Sequence, residues 1–175
     1  MNGNGTWEGC NVDRCVQSFG RNGDRPVIAR RIAAGTDTAA IFRPVETTTS
    51  GRRVKTLKGL WHMDSNNNGN LESCDMDQCL GPYGDQGDLP VIGDWAGIGS
   101  PRISIFRPAN SKWYLDFNGN GKLDNCVKDG CLGPFGHPDD LPVAGDWTST
   151  GQVRIGVFNA KTAAWQLDLN GKWRV

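Results

Sequence analysis

No apolar run in this sequence approaches the roughly 20 residues that a membrane-spanning helix needs. Charge of one sign is lacking too, because 19 basic residues balance 19 acidic ones. The first absence argues against a helical membrane span. The second removes the electrostatic basis for a nucleic-acid or anionic-membrane partner. Glutamate is scarce: 3 of the acids are Glu and 16 are Asp. Glu suits helices, whereas Asp suits turns and ligating loops, and no segment sustains a helical period. A mainly helical fold is therefore not expected. Histidine is rarer still. His62 stands beside Trp61, His137 lies in a Gly-His-Pro turn, and neither has a recurring partner. No G-x-S-x-G, H-E-x-x-H or phosphate-cradling glycine loop occurs. Asp139-Asp140 are adjacent loop carboxylates, more often solvated than catalytic, and a hydrolase using such acids is the least favoured reading. No enzymatic activity is expected.

Glycine and proline fill 33 of the 175 positions, about 19%, against roughly 12% in average usage. They punctuate an internal repeat. Pro90-Val91-Ile92-Gly93-Asp94-Trp95 returns 52 residues later as Pro142-Val143-Ala144-Gly145-Asp146-Trp147, and Trp113-Tyr114-Leu115-Asp116 returns as Trp165-Gln166-Leu167-Asp168. A third copy begins at Pro26-Val27-Ile28, and its Trp61-His62-Met63-Asp64 comes 12 residues late, which places an insertion at 45–59. Each copy alternates polar and apolar residues in short runs between turns. The expectation is an all-β fold of three repeats, each of about four short strands, arranged as β-propeller-like blades. A threefold, β-trefoil-like arrangement is the alternative. Residues 21–84 form repeat one, 85–136 repeat two and 137–175 repeat three. The opening Asn2-Gly3-Asn4-Gly5-Thr6-Trp7-Glu8 matches the segment that follows Leu115-Asp116, so residues 1–20 are expected to complete the last repeat with an N-terminal strand; the other reading is a chain cut mid-repeat. Met1 leads directly into a polar loop with no secretory signal, and an upstream segment is expected to have been removed.

The sharpest chemical motif is the loop Asp116, Asn118, Asn120, Gly121, Lys122 and Asp124. Oxygen-bearing side chains stand at positions 1, 3, 5 and 9, a glycine at 6 permits a tight turn, and the Lys122 carbonyl at 7 is a further ligand. Asp64, Asn66, Asn68, Asn70 and Glu72 repeat the frame. A split third copy combines Asp168 and Asn170 with Asn2, Asn4 and Glu8. A further acid recurs as Asp13, Asp77 and Asp129, placed to close the shell from the opposite side. Oxygen-only ligands select Ca²⁺ over zinc or copper. With two or three carboxylates per loop, weak sites of about 10⁻⁴ to 10⁻³ M are expected. The competing reading is that the Asn-Gly clusters only build turns; recurrence of the spacing favours calcium.

Six cysteines fall as Cys10/Cys15, Cys74/Cys79 and Cys126/Cys131, one pair per repeat. Equivalent units should bond equivalently, so one local disulfide per repeat is expected rather than any other of the 15 pairings. No histidine recurs with the pairs to make a zinc site. Disulfides imply an oxidising compartment, hence secretion or the cell surface.

The run Gly87-Asp88-Leu89-Pro90-Val91-Ile92-Gly93-Asp94-Trp95, followed by Ile103-Ser104-Ile105-Phe106-Arg107-Pro108 and Trp113-Tyr114, resembles bacterial extracellular FG-GAP/VCBS-type repeats, with Tyr83-Gly84 and Phe135-Gly136 at the family's Phe-Gly step. The resemblance covers essentially the whole chain. It implies integrin-like β-propeller blades of four strands, stabilised by calcium, in secreted or surface proteins that bind partners. Two departures stand out. Ala96 and Ile98, or Thr148 and Thr150, replace the acids expected after Gly-Asp-aromatic, and Arg30 replaces the first Asp in repeat one. Three repeats also do not fill a ring, since propellers use about 4–8 blades.

The expected function is a calcium-stabilised, disulfide-linked secreted module for adhesion, assembly or ligand binding, with a carbohydrate-binding lectin as the alternative. Partners are a protein or glycan at a surface, a second copy of the chain, or further repeats. Arg30, Arg31, Arg52, Arg53, Lys55 and Lys58 cluster around the insertion, where a basic hairpin suits a sulfated or carboxylated glycan or an acidic protein surface. Trp61, Trp113 and Trp165 share one repeat position and are expected in the core.

Overall fold

Short runs of β-branched and aromatic residues between Gly-rich turns become eleven strands among the described residues. The computed structural model describes residues 5–12, 15–16, 18–31, 36–48 and 55–171, with the side chains of Arg30, Arg31, Thr36, Thr48, Lys55 and Thr56 outside that set. Strands β1 (Arg25–Arg31), β2 (Thr36–Thr48), β3 (Lys55–Met63) and β4 (Gln78–Leu80) pair in that order, all antiparallel. A second sheet repeats the order with β5 (Leu89–Gly93), β6 (Arg102–Arg107), β7 (Lys112–Leu115) and β8 (Gly130–Leu132). The third has three strands, β9 (Leu141–Gly145), β10 (Arg154–Asn159) and β11 (Ala164–Leu167), in the order β11-β10-β9. No helix and no closed barrel occur among the described residues, so the all-β expectation holds.

Strand β6 explains how the sheets sit. Its alternation of polar and apolar residues predicts one wet face, yet Ile103, Ser104, Ile105 and Phe106 are all buried. Ile103 and Ile105, with Ile92 of β5, pack on Phe42, Trp61 and Tyr83 toward the first sheet. Phe106 and Val91 point the other way, onto Ile155 and Val157 of the third. The second sheet thus lies between the other two, and β5 lies beside both β1 and β9. Ser104 is tolerated there because its hydroxyl donates to the Val91 carbonyl at 2.9 Å.

Each sheet is tied to the connection entering it by one buried aspartate. Asp88 accepts the Asp85 N–H at 2.7 Å and takes Arg107 bidentately, Nε on Oδ1 at 2.8 Å and Nη2 on Oδ2 at 2.7 Å. Asp24 repeats this with the Arg21 N–H and Arg43. Asp140 accepts the His137 N–H, but Asn159 replaces the arginine. Burial pushes the Asp24 carboxyl up, but the Arg43 guanidinium and the Arg21 amide outweigh it and hold the group below its ordinary value. The same carboxylate holds the Arg43 guanidinium above its own usual value. Asp139-Asp140, read from the sequence as a solvated pair, divide: Asp140 is buried, whereas Asp139 meets Lys161 Nζ in solvent at 2.6 Å.

The insertion in repeat one lengthens a hairpin. Strand β2 runs 13 residues and β3 runs 9, against 6 and 4 in β6 and β7, and they stay in register from Val45↔Lys58 to Thr48↔Lys55.

The expected N-terminal strand is not found beside β11 among the described residues. Instead Ser18 bridges to Asn70, Val16 lies over Gly69, and Gly20 approaches Ile41. The segment is seated on unit one because that unit's loop offers it the same glycine floor that Gly121 offers Leu80 in the next unit.

Candidate functional site

Both intact copies of the Asp/Asn loop fold alike, and the reason is local. Asp116 is buried at the end of β7. Its Oδ1 accepts the N–H groups of Gly119 and Asn120 at 2.8 and 3.2 Å, and its Oδ2 accepts that of Gly121 at 2.9 Å. Asn118 and Asn120 each accept the N–H two residues on, from Asn120 and Lys122, in successive Asx turns. Gly119 and Gly121 take φ of 72° and 69°, which the tight curl requires. Asp64 does the same work in unit one, accepting from Asn68 and Gly69, while Asn66 and Asn68 accept from Asn68 and Asn70. The loop acid then gathers the amides: Asn118 and Asn120 donate to Asp124 Oδ2 at 3.0 and 2.8 Å, and Asn66 and Asn68 donate to Glu72 Oε2 at 2.6 and 3.0 Å. Those amides hold the Asp124 carboxyl below its ordinary value.

The recurring acid, in its two described copies, closes the loop from beneath through backbone amides. Asp77 Oδ2 accepts the Glu72 N–H and Oδ1 the Ser65 N–H, while Asp129 Oδ2 accepts the Asp124 N–H at 2.7 Å. Each acid sits inside the small ring of a disulfide. The bridges Cys10–Cys15, Cys74–Cys79 and Cys126–Cys131 all form as expected, with Cα separations of 5.2, 5.3 and 5.1 Å.

Whether these donors suit a hard cation turns on Asp129. Its Oδ1 is buried and makes no hydrogen bond of good geometry among the described residues, although the Phe117 amide acts on this carboxylate as the Ser65 amide acts on Asp77. Burial raises this carboxyl's pKa despite the Asp124 and Phe117 amides, and the negative charges of Asp116 and Asp124 add to the rise. A bound cation would satisfy that oxygen and relieve the crowded charge, and the surrounding donors are all oxygen. The fit therefore holds for the unit-two loop.

Carboxylates alone do not make the cage. Among the described residues, the group whose ligand atoms all converge within 4.8 Å is His62, Cys74 and Cys79. The sulfurs there are joined to each other, so they offer no thiolate to zinc. His62 Nδ1 lies 3.3 Å from Cys79 Sγ, and burial, then the Arg43 charge, push the imidazole's pKa down.

The split third loop is not assembled. Asp168 Oδ1 accepts the N–H groups of Asn170 and Gly171, but its buried Oδ2 has no partner among the described residues. Glu8 belongs to the segment seated on unit one, and Asn2, Asn4 and Asp13 lie outside the described residues. So do Arg52 and Arg53, as do the side chains of Arg30, Arg31 and Lys55. Lys58, the remaining member of the basic group, places Nζ 2.5 Å from Asp85 Oδ1, so an acid of the inter-unit connection occupies it.

The loops after Asp94 and Asp146 are knit by backbone amides instead. Asp94 accepts from Ile98 and Gly99, and Asp146 from Thr148, Thr150 and Gly151, which hold the Asp146 carboxyl below its ordinary value. Asp37, Asp94 and Asp146 rim a cleft of about 540 Å³ at the inner strands, with Ile28, Ile92 and Val153 on its walls.

Sequence reasoning missed the Asp24, Asp88 and Asp140 ties. Their signal was available: each Asp precedes its partner by 19 residues, as Arg43, Arg107 and Asn159. Of the three recurring tryptophans, Trp61 and Trp113 are wholly buried, and each indole donates to a carbonyl of the next connection, Tyr83 at 2.9 Å and Phe135 at 3.2 Å. Trp165 is the exception, 58% exposed.

Comparison with protein-family models, with curated proteins and with solved structures finds no match to this chain.

Proposed function

We propose that this chain is a calcium-stabilised, disulfide-linked repeat module of propeller-like blades, which serves adhesion, assembly or ligand binding in an oxidising setting outside the cell. The observation that carries the reading is the buried Asp129 carboxylate, crowded by the charges of Asp116 and Asp124 and with no hydrogen bond of good geometry on Oδ1, beneath a loop of oxygen donors and bracketed by the Cys126–Cys131 bridge. Asp116, Asn118, Asn120, the Lys122 carbonyl, Asp124 and Asp129 would hold the ion, with Asp64, Asn66, Asn68, Glu72 and Asp77 in unit one. Bound calcium supplies positive charge that fixes the loop; it performs no reaction here. The blade reading is supported by three separate sheets whose first strands lie side by side, where a trefoil would share strands in one barrel.

The test is thermal unfolding of Asp116→Ala with millimolar calcium and with chelator. Because Asp116 accepts three loop amides even without an ion, the melting temperature should fall in both conditions, and clearly further in calcium than in chelator. An equal drop in both conditions reduces the loop to a turn and refutes the calcium reading. A lectin reading draws on the exposed Trp7 and Trp165. A glycan array run with and without EDTA separates it: sugar binding that survives chelation and is lost on Trp7→Ala favours the lectin.

A further inference from the structure

We infer that the open face and edge of the third sheet are a docking site for the described parts of the N-terminal segment (5–12, 15–16 and 18–20) and unit one of a second copy of this chain. The evidence is the way the units already dock on one another. At the first junction Trp61 donates to the Tyr83 carbonyl, Gly84 lies against Ile105, and β4 pairs with β3 while Leu80 packs on Gly121 of the next unit. At the second, Trp113 donates to the Phe135 carbonyl, Gly136 lies against Val157, and β8 pairs with β7. A fourth-strand segment therefore serves two units at once: it pairs with the sheet behind it and floors the loop of the unit ahead.

The N-terminal segment performs half of that role. Val16 packs on Gly69 as Leu80 packs on Gly121, and Gly20 meets Ile41 as Gly84 meets Ile105. Its backbone carries the same turns. The Val12 N–H donates to the Gly9 carbonyl as that of Met76 does to Ser73, and that of Lys128 to Asn125. Gly5 already has φ of 72°, matching 79° at Gly69 and 69° at Gly121. Among the described residues, what the segment lacks is the sheet behind it, and the third sheet lacks this segment. Ile28 is 64% exposed where its counterpart Ile92 is 9% exposed, so unit one also lacks a neighbour on that side.

The complementary defects lie on β11. Trp165 is 58% exposed and Leu167 36%, whereas Trp61, Trp113 and Leu115 are at 0%. Asp168 Oδ2 is buried without a partner among the described residues, at the position where Asp64 and Asp116 accept the Gly69 and Gly121 amides. The described residues of this segment in a second copy answer each defect. The Phe19 carbonyl receives the Trp165 indole, the Gly5 amide meets Asp168, and Val16 and Cys15 stand opposite Trp165 and Gln166, as Leu80 and Cys79 stand opposite Trp61 and His62. The segment keeps its seat on its own unit one throughout. Such a contact is head-to-tail, so it closes into a ring or propagates. Two copies closing on each other make six units, within the range that propellers fill.

The test uses the full 175-residue chain and two variants, Trp165→Glu on the sheet and Val16→Asp on the segment. Sedimentation of the wild-type chain should give at least twice 19.0 kDa. Each variant alone should sediment as a monomer with an unchanged circular dichroism spectrum. Mixing the variants should restore a dimer, because one junction then pairs an intact β11 with an intact segment. Hydrogen exchange should show β11 amides protected in the assembly and open in Trp165→Glu. A wild-type monomer with exchanging β11 overturns the inference. So does a monomer with protected β11, which means the chain's own segment has closed on it, and so does an assembly that survives both substitutions. Val16 also touches Gly69 in its own chain; if Val16→Asp loses structure, Phe19→Gly replaces it on the segment side in the same mixing experiment.

Discussion

Replacing Arg107 with methionine isolates the tie that fixes the second sheet to its entering connection. The guanidinium makes two bonds to Asp88 and a third to Asp85 at 2.7 Å, and it lies 4.9 Å from the centre of the Tyr114 ring. The Asp88 side chain is 2% exposed and that of Arg107 is 22% exposed, so the pair is shielded from solvent. Methionine keeps much of the apolar stem and removes the charge. Asp88 is left buried with the Asp85 N–H as its remaining described partner. Stripping one member from a buried pair costs about 3–5 kcal/mol, and the more exposed Asp85 contact adds about 0–1 kcal/mol. The surviving amide bond places the total near the low end, about 3 kcal/mol. For a chain of this length that is a fall of roughly 6–12 °C in melting temperature. Urea denaturation read by circular dichroism measures the change directly. The double variant Asp88→Asn/Arg107→Met should cost clearly less than the sum of the single substitutions, because it leaves no stranded charge. A loss below about 0.5 kcal/mol for Arg107→Met, or strict additivity in the double variant, refutes the assignment of Asp88 as a charge-paired anchor.

Four further outcomes follow from the same geometry. Asn159→Arg should raise the melting temperature by a few degrees, since it installs the missing arginine opposite buried Asp140. Asp24 is depressed below its ordinary 3.8, so its share of stability is present above that pH and is lost as pH falls through the lower folded value; Arg43→Met should flatten that acid limb in a pH series of denaturant melts. Cys126→Ser/Cys131→Ser should cost about 2 kcal/mol through loop closure alone and weaken calcium binding measured by titration calorimetry, because the bridge brackets Asp129. Gly59→Ala should destabilise by about 1–3 kcal/mol or more, read by urea midpoint, since a Cβ there meets Phe42 Cε2 at 1.9 Å and the Tyr83 carbonyl oxygen at 2.7 Å.

The repeat made the three sheets and the three disulfides legible, because both follow from one periodic pattern of turns, alternation and cysteine pairs. The order of strands within each sheet follows too, since short Gly-rich connections favour antiparallel neighbours. Alternation in β6 misled, however. Ser104 looks like an outward residue, and only the stacking of a third sheet, with a carbonyl to receive the hydroxyl, explains its burial. The Asp24, Asp88 and Asp140 anchors escaped notice because a lone Asp in a Gly-rich turn reads as a turn former, and its partner lies 19 residues away on a strand. The seat of the N-terminal segment escaped for a different reason. Sequence alignment identifies the segment as a fourth strand, but a fourth strand has two neighbours, and the alignment does not say which of them it touches. Packing decides, and Val16 on Gly69 chooses unit one.

This double contact joins the cation loops to the docking of the units. The sixth position of each loop is glycine, and the residue it faces belongs to the unit behind: Val16 beneath Gly69 and Leu80 beneath Gly121. A β-carbon at Gly121 would stand 2.9 Å from Leu80 Cδ2, so the loop and the neighbouring strand fit only while the loop keeps its tight curl. That curl is set by Asp116 accepting the Gly121 amide, and Asp116 is one of the proposed calcium ligands. In a protein whose units are stabilised chiefly by their neighbours, an ion that fixes the curl therefore stabilises a junction as well as a loop. By linkage, whatever orders the junction also tightens the ion. Calcium affinity and unit docking should then rise and fall together, and Trp165→Glu, far from both intact loops in sequence, should weaken calcium binding only in so far as it opens the assembly.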